Sequence, residues 1–297
     1  MNKAVIDLGT NTFNLLIADA DTHAILVNQK MPVHLGRGGL KERRLTEESM
    51  LRGLDVLRLY KGICADHQVD EIRAVACSAV RSAENKQVFV DLVKSELDIH
   101  VEVLSGEVEA EYIYRGIHHA VKIDSDTLIM DIGGGSTELI MCDSQSVQWL
   151  ASYDFGVSRL LEVYGPSDPL SAEDIERIRV DIERSWRVIE RRDIPRVLVG
   201  SSGSFDTLAG LYLKQQGGGY NGLEIPLDSI RGICGDLLRS TEVERREMPG
   251  MDLSRTPHIH LSALLVLVIL DLFSIERVVL SQFALKEGVL FASLSLG

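Results

Sequence analysis

The sequence predicts a duplicated α/β protein, two similar domains flanking a cleft. Three observations predict it. VIDLGTNTFNLLIAD, residues 5–19, returns 124 positions later as IMDIGGGSTELIMCD, so that Asp7 falls on Asp131, Gly9 on Gly133, Thr12 on Ser136, Leu15 on Leu139 and Asp19 on Asp143. Each copy opens the same succession of strand, strand, strand, helix, strand, helix, strand. At 297 residues the chain is also long for one ordinary core.

In the first half, KAVIDLG and NLLIADA read as a buried strand and its hairpin partner, and HAILVNQKMPVHLG continues as strand material. RLTEESMLRGLDVLRLYKGI reads as a helix, because Thr46 can cap it, Glu47 and Glu48 suit its first turn, and Met50, Leu54 and Leu57 follow at helical spacing. IRAVACSAV is a strand, a helix follows RSAENK, and HVEVLSG is a strand that ends in a Ser-Gly turn. In the second half DTLIMDIGGG, TELIMCDS and VQWLASYDFG are strands. SAEDIERIRVDIERSWRVIE is a helix capped by Ser171, with Asp174 near the capping-box position and an apolar stripe of Ile175, Ile178, Ile182, Trp186 and Ile189. RVLVGSSGS is a strand entering a small-residue turn, residues 260–273 an apolar helix, RVVLSQ a strand and ALKEGVLFASL a helix. KQQGGGYNG reads as a loop.

Composition narrows the function. The net charge of -13 argues against a general binder of nucleic acid or anionic membrane, so a polyanionic substrate needs a local basic patch. Cys64, Cys77, Cys142 and Cys234 form no C-x-x-C pair and read as reduced, mostly buried thiols, as in a cytoplasmic protein. No basic and apolar leader precedes the first strand, and the most apolar run, LSALLVLVIL, is too short to span a bilayer.

The repeated turn offers anion chemistry. Thr10, Asn11 and Thr12 bring backbone N–H groups with hydroxyls and an amide, while Gly133, Gly134, Gly135 and Ser136 bring bare backbone and a hydroxyl. Such turns let N–H groups approach a phosphate closely. A lone turn of this kind is more often a plain hairpin; two copies in register favour the cradle. Asp7 and Asp131, at the strand ends, can hold Mg²⁺ or another divalent cation, directly or through water. Neither turn is a Walker A loop or a dinucleotide fingerprint. VGSSGSFDTLAG is a third small-residue turn opening a helix, and it reads equally as an anion site or an ordinary loop.

In SGEVEAEYIYRG, Ser105 can cap a helix on which Glu107, Glu111 and Arg115 make an exposed, salt-bridged stripe. Glu109 lies about 200° around the axis from Glu107, on the face of Tyr112, Ile113 and Gly116. An inward carboxylate needs a reason, since burying charge is costly. Two remain open from the residues alone: a general base for water, or a satisfied interdomain carboxylate. The spacing of His258 and His260 reads as a loop or helix start more readily than as a metal site.

AVIDLGTNTFNLLIAD, VACSAVRSAEN, VLSGEVEAEYIYRG, IMDIGGGSTELI, VGSSGSFDTLA and LKEGVL together resemble, in order and over nearly the whole chain, the Ppx/GppA exopolyphosphatase and guanosine pentaphosphate phosphatase family. The resemblance implies the duplicated actin-like ATPase (ribonuclease H-like) fold in the short two-domain form. It implies domains at residues 1–122 and 123–282, with residues 283–297 folding back onto the first. It further implies Glu109 as general base, Arg81 neutralising phosphate charge, Asp131 and Glu138 serving Mg²⁺, and the two turns holding terminal phosphates. Val108 stands where the family often has the first of two adjacent glutamates. Pro257 and Ser262 stand where it usually has an acidic residue and a glycine.

The expected activity is Mg²⁺-dependent hydrolysis of terminal phosphoanhydride bonds of inorganic polyphosphate, with Arg37, Lys41, Arg43 and Arg44 of GRGGLKERR as a landing for the chain or simply a solvated loop. Guanosine pentaphosphate is the alternative substrate. A kinase of the same fold and a non-catalytic sensor of polyphosphate or guanosine tetraphosphate are the rival classes. Expected partners are the substrate alone, with neither nucleic acid nor membrane, and homodimerisation is left open.

Overall fold

A computed structural model describes residues 1–186 and 195–294. The chain forms two compact units, Met1–Gly116 with Ala284–Gly297, and Ile117–Phe283.

The first unit opens with β1 (Asn2–Leu8), β2 (Thr12–Asp19) and β3 (Ile25–Pro32), an antiparallel meander. Helix α1 (Glu47–Asp66) follows, its N-terminus capped as expected by the Thr46 hydroxyl, which accepts from the Ser49 N–H at 3.2 Å. It buries Met50, Leu54 and Leu57, and its Tyr60 hydroxyl donates to the Phe13 carbonyl at 2.8 Å. Then come β4 (Val69–Ala76), α2 (Ser78–Ser82), α3 (Lys86–Leu97), β5 (Val101–Val103) and α4 (Gly106–Ala120). The strand read through IRAVACSAV therefore stops at Ala76, where the chain leaves the ladder at Cys77 (ψ -148°) and curls into α2.

The second unit repeats the plan with β6 (Thr127–Ile132), β7 (Thr137–Cys142) and β8 (Val147–Tyr153), then α5 (Val157–Tyr164) and α6 (Ala172–Trp186). The Asp174 N–H bonds the Ser171 hydroxyl at 3.1 Å, and Ile178, Ile182 and Trp186 are buried; Ile189, the last residue of the expected stripe, lies outside the described residues. Next are β9 (Val197–Ser201), α7 (Ser202–Leu213), the two-residue β10 (Glu224–Ile225), α8 (Leu227–Arg239), α9 (Glu242–Arg246), α10 (Ile259–Leu272) and β11 (Arg277–Leu280). The final helix, α11 (Leu285–Leu294), belongs to the first unit. It packs on β1, where the Lys3 ammonium donates to the Ser293 carbonyl at 2.8 Å. It also meets α4 so closely that a Cβ on Gly288 would lie 1.7 Å from the Tyr112 carbonyl oxygen.

The sheet orders are β3-β2-β1-β4-β5 and β8-β7-β6-β9-β11, the second extended by β10. In both, the first three strands are antiparallel and the rest of the five run parallel to the first strand. This is the order of the actin-like, ribonuclease H-like fold, built twice. Each unit has its own apolar core: Ile6, Leu8, Phe13, Leu57 and Phe89 in the first, and Met130, Leu139, Ile182, Phe205 and Leu264 in the second. The apolar run at the start of α10 is a core helix, and no helix among the described residues is long and apolar enough to cross a membrane.

Candidate functional site

The two Asp-led hairpins match position for position. Asp7 pairs with Asn14 and Leu8 with Phe13; Asp131 pairs with Glu138 and Ile132 with Thr137. The sequence repeat is therefore a repeat of strand register, with Gly9–Thr12 and Gly133–Ser136 as equivalent turns.

In the first unit, the Asn14 side-chain amide donates to Asp7 Oδ2 at 2.9 Å and the Cys77 thiol lies 3.8 Å from Asp7 Oδ1. Cys77 is also adjacent to Glu109: burial first, then the Glu109 and Asp7 carboxylates, push its thiol well above the ordinary range and keep it protonated. Glu109 is 6% exposed, and its Oε2 is ion-paired with Arg81 Nη1. Arg81 rises from α2, and its Nη1 also donates to the Leu104 carbonyl at 3.4 Å. Glu109 rises from the first turn of α4, whose start is capped by Ser105 through the Val108 N–H at 3.3 Å. Glu107, Glu111 and Arg115 are exposed as expected, yet no ion pair joins them among the described residues. Arg115 sits instead over the Tyr112 ring, 5.8 Å from its centroid.

The back of the Gly9–Thr12 turn is covered. Val33 and His34 each donate a backbone N–H to the Asn11 carbonyl at 2.8 Å, and Gly36 donates to the Thr10 carbonyl at 3.1 Å. Thr10 is buried. The covering loop continues into Arg37, Lys41, Arg43 and Arg44, all exposed. Arg43 Nε donates to the Ser82 carbonyl at 3.4 Å and Lys86 Nζ to the Arg81 carbonyl at 3.3 Å, so basic side chains border α2.

In the second unit, the carbonyls of Gly133, Gly134 and Gly135 all accept hydrogen bonds from the start of α5. Val157 N–H donates to Gly133 at 3.1 Å, Ser158 N–H to Gly134 at 2.8 Å, Arg159 N–H to Gly134 at 3.1 Å, and Arg159 Nε to Gly135 at 2.9 Å. Ser136 is 3% exposed, and neither its hydroxyl nor the N–H groups of Gly134, Gly135 and Ser136 make a hydrogen bond among the described residues. Three successive backbone donors beside a buried hydroxyl are the chemistry of an anion nest.

Asp131 accepts from two hydroxyls of the strand–helix junction, Ser201 at 2.8 Å to Oδ2 and Ser202 at 2.5 Å to Oδ1. Glu138 Oε1 accepts from Ser152 at 2.6 Å. Directly paired residues share a sheet face, and like charges so placed repel. Two buried carboxylates on one ladder rung form a hard oxygen donor set that suits Mg²⁺, which is bound through one or two carboxylates and keeps several waters. No group of three or more His, Cys, Asp or Glu gathers as a metal cage among the described residues, His258 and His260 included. His258 precedes α10 and His260 lies in its first turn, as a helix start requires.

The structure thus groups Asp7, Arg81 and Glu109 around Cys77 in the first unit, beside β2 and its turn Thr10, Asn11 and Thr12. It groups Asp131, Glu138, Gly133, Gly134, Gly135 and Ser136 in the second. The residue reading missed Cys77, Ser152, Ser201, Ser202 and Arg159. Of these, the SSGS run announced the serines after β9, and FGVSRL announced nothing at helical period. It also missed Arg255, whose guanidinium lies against the start of α7, where a Cβ on Gly203 would stand 2.1 Å from its Nη2. Burial pushes Arg255 down, against the opposing pull of Asp252, Asp206 and Asp131.

Residues 16–296 match the Ppx/GppA phosphatase family. Among solved structures, the chain is similar to an exopolyphosphatase from Cytophaga hutchinsonii, at 36% identity and a TM-score of 0.90 over 99% of this chain and 98% of that one. It is similar to an exopolyphosphatase-like protein at 26% identity and a TM-score of 0.92, over 100% of this chain and 99% of the other. The Aquifex aeolicus member of the Ppx/GppA family aligns at 25% identity and a TM-score of 0.85, over 100% and 98% of the two chains.

Proposed function

The chain belongs to the Ppx/GppA phosphatase family, and from that premise we propose that it is an exopolyphosphatase, releasing orthophosphate from the end of inorganic polyphosphate. The observation that carries this reading is the Glu109 carboxylate, buried yet ion-paired with Arg81. A structural carboxylate on a helix start has no need of so costly a setting, whereas a general base needs an ionised oxygen held in one place.

In this reading Glu109 accepts a proton from the water that attacks the terminal phosphorus, and Arg81 offsets the cost of keeping the carboxylate charged. Within the first unit the Thr10–Thr12 turn, and within the second the N–H groups of Gly134, Gly135 and Ser136, are each suited to phosphoryl oxygens. Asp131 and Glu138 are the residues that would hold Mg²⁺, with Asp7 as the matching carboxylate of the first unit. Bound there, the ion supplies charge neutralisation to the transferring group. Inorganic polyphosphate leads because the similar Cytophaga hutchinsonii protein is named an exopolyphosphatase, and because exposed basic residues border α2 on the same unit as Glu109.

The test is orthophosphate release from polyphosphate of several lengths, guanosine pentaphosphate and ATP, by wild type and Glu109→Gln. Polyphosphate turnover that vanishes in the variant supports the reading. Wild-type rates in Glu109→Gln sink it. Preference for guanosine pentaphosphate moves the substrate, tight ATP binding without polyphosphate cleavage indicates a kinase, and binding without turnover indicates a sensor.

A further inference from the structure

We propose that Arg159 is a positioning residue of the glycine turn: its guanidinium, hydrogen-bonded to the Gly135 carbonyl, aims the Ser136 N–H at the phosphate that the turn receives. The inference rests on the reading of Gly133–Ser136 as a phosphate cradle and adds to it the part that orients the cradle.

A trans peptide is planar, and its C=O and N–H point in opposite directions. The carbonyl of Gly133 shares its plane with the N–H of Gly134, that of Gly134 with the N–H of Gly135, and that of Gly135 with the N–H of Ser136. All three carbonyls are drawn to the start of α5. All three matching N–H groups are therefore turned away from α5, and these are the three that make no hydrogen bond among the described residues. The first two planes are held by backbone donors, Val157, Ser158 and Arg159 N–H. The third is held by a side chain, Arg159 Nε, 2.9 Å from the Gly135 oxygen.

Arg159 is built for this task. It is buried, and its Nη2 lies 3.5 Å from Asp154 Oδ1. The close approach also requires Gly156, where a Cβ would fall 2.3 Å from the Gly135 N and C atoms. In the equivalent turn of the first unit, the Asn11 and Thr10 carbonyls accept from backbone donors, the N–H groups of Val33, His34 and Gly36. A charged donor holds a carbonyl more strongly than a neutral one and leaves positive charge behind the nest.

Orthophosphate is the probe, added to ¹⁵N-labelled protein carrying Glu109→Gln, with amide shifts followed at Gly134, Gly135 and Ser136. Steady-state kinetics are run in parallel on the Glu109-intact enzyme. The expected result is that phosphate shifts all three amides with Arg159 present, and that Arg159→Leu loses the Ser136 response while keeping that of Gly134. In the kinetics Arg159→Leu raises KM and the orthophosphate inhibition constant together, about tenfold, with a smaller change in kcat, and Arg159→Lys recovers part of the loss. A purely structural arginine would lower Tm and leave this split unmoved. If all three amides respond equally with and without Arg159, the proposal falls and the cradle stands. If none responds even with Arg159, cradle and proposal fall together. Should Arg159→Leu not fold, Arg159→Lys carries the test: full wild-type KM in that variant shows that the Nε contact is dispensable and overturns the proposal.

Discussion

Glu138 lies directly across the β6–β7 ladder from Asp131, and the two carboxylates are 1% and 5% exposed. Serine hydroxyls donate to both and the Arg255 guanidinium acts on Asp131, yet two carboxylates on one rung are like charges side by side. A divalent cation held by the pair would relieve that repulsion. Mg²⁺ at a hundredfold excess over its Kd is expected to stabilise the protein by about 2.7 kcal/mol, read as a rise in Tm. Glu138→Gln is expected to raise the metal-free Tm and to remove most of the Mg²⁺ response. A wild-type Tm indifferent to Mg²⁺ would contradict the assignment.

The Glu109–Arg81 pair separates catalysis from stability. Glu109→Gln keeps shape and loses the base, with an expected fall in kcat of about 10²–10⁴. Arg81→Ala strands a buried carboxylate. Breaking a buried pair costs about 3–5 kcal/mol, and with Arg81 21% exposed in its side chain the low end applies. Urea titration of both variants checks this, and equal stabilities would show that the pair does not hold the fold.

Cys77 stands to Asp7 as Ser202 stands to Asp131: each is the first residue past the fourth strand of its unit and puts an Xγ–H against the aspartate next to last in the first strand. Cys77→Ser is therefore expected to be close to wild type in Tm and turnover. Cys77→Val removes the donor at similar volume and is expected to cost about 1–2 kcal/mol. Because burial and the carboxylates of Glu109 and Asp7 push the thiol up, iodoacetamide is expected to label it only on unfolding. Rapid labelling of native Cys77, followed by peptide mapping, would refute this.

His260 sets an acid limit. Burial, with help from Arg245 and against Asp168 and Glu242, pushes its imidazole down to about 4. The unfolded chain therefore binds the proton between its ordinary value and that of the folded state, so stability is complete above about pH 6.5 and falls as pH drops towards 4. The slope is about 1.4 kcal/mol per pH unit, for a total of about 3 kcal/mol. His260→Leu is expected to remove this component of the pH dependence, measured by urea unfolding at pH 5 and pH 7.5. An unchanged pH dependence in the variant would exclude His260 as its source.

The strands and long helices were legible because apolar runs and helical stripes are dense where an element is buried on a broad face, as in β1, β6 and α1. Helix α5 was not, because eight residues give barely two turns of pattern. Nor was α8, whose interior Gly232 and Gly235 weaken the helical signal and whose burial of Ile230, Cys234 and Leu237 is decided by tertiary packing. In the site, Glu109 could be singled out because an acid on an apolar face conflicts with its surroundings. Arg159 could not, since nothing in FGVSRL tells that its guanidinium ends on a carbonyl 24 residues earlier. Cys77 was hidden for a similar reason, as small thiols in apolar runs are ordinary core residues until a carboxylate is found beside them.

The docking of α11 on β1 carries a consequence for how the protein is made. β1 stays without its covering helix until residues 285–294 have been made, nearly 280 positions later in the chain. The continuous Ile117–Phe283 body can mature before that point, so a nascent chain arrested shortly before Leu285 would hold one finished half and, in the half bearing Glu109, one open one.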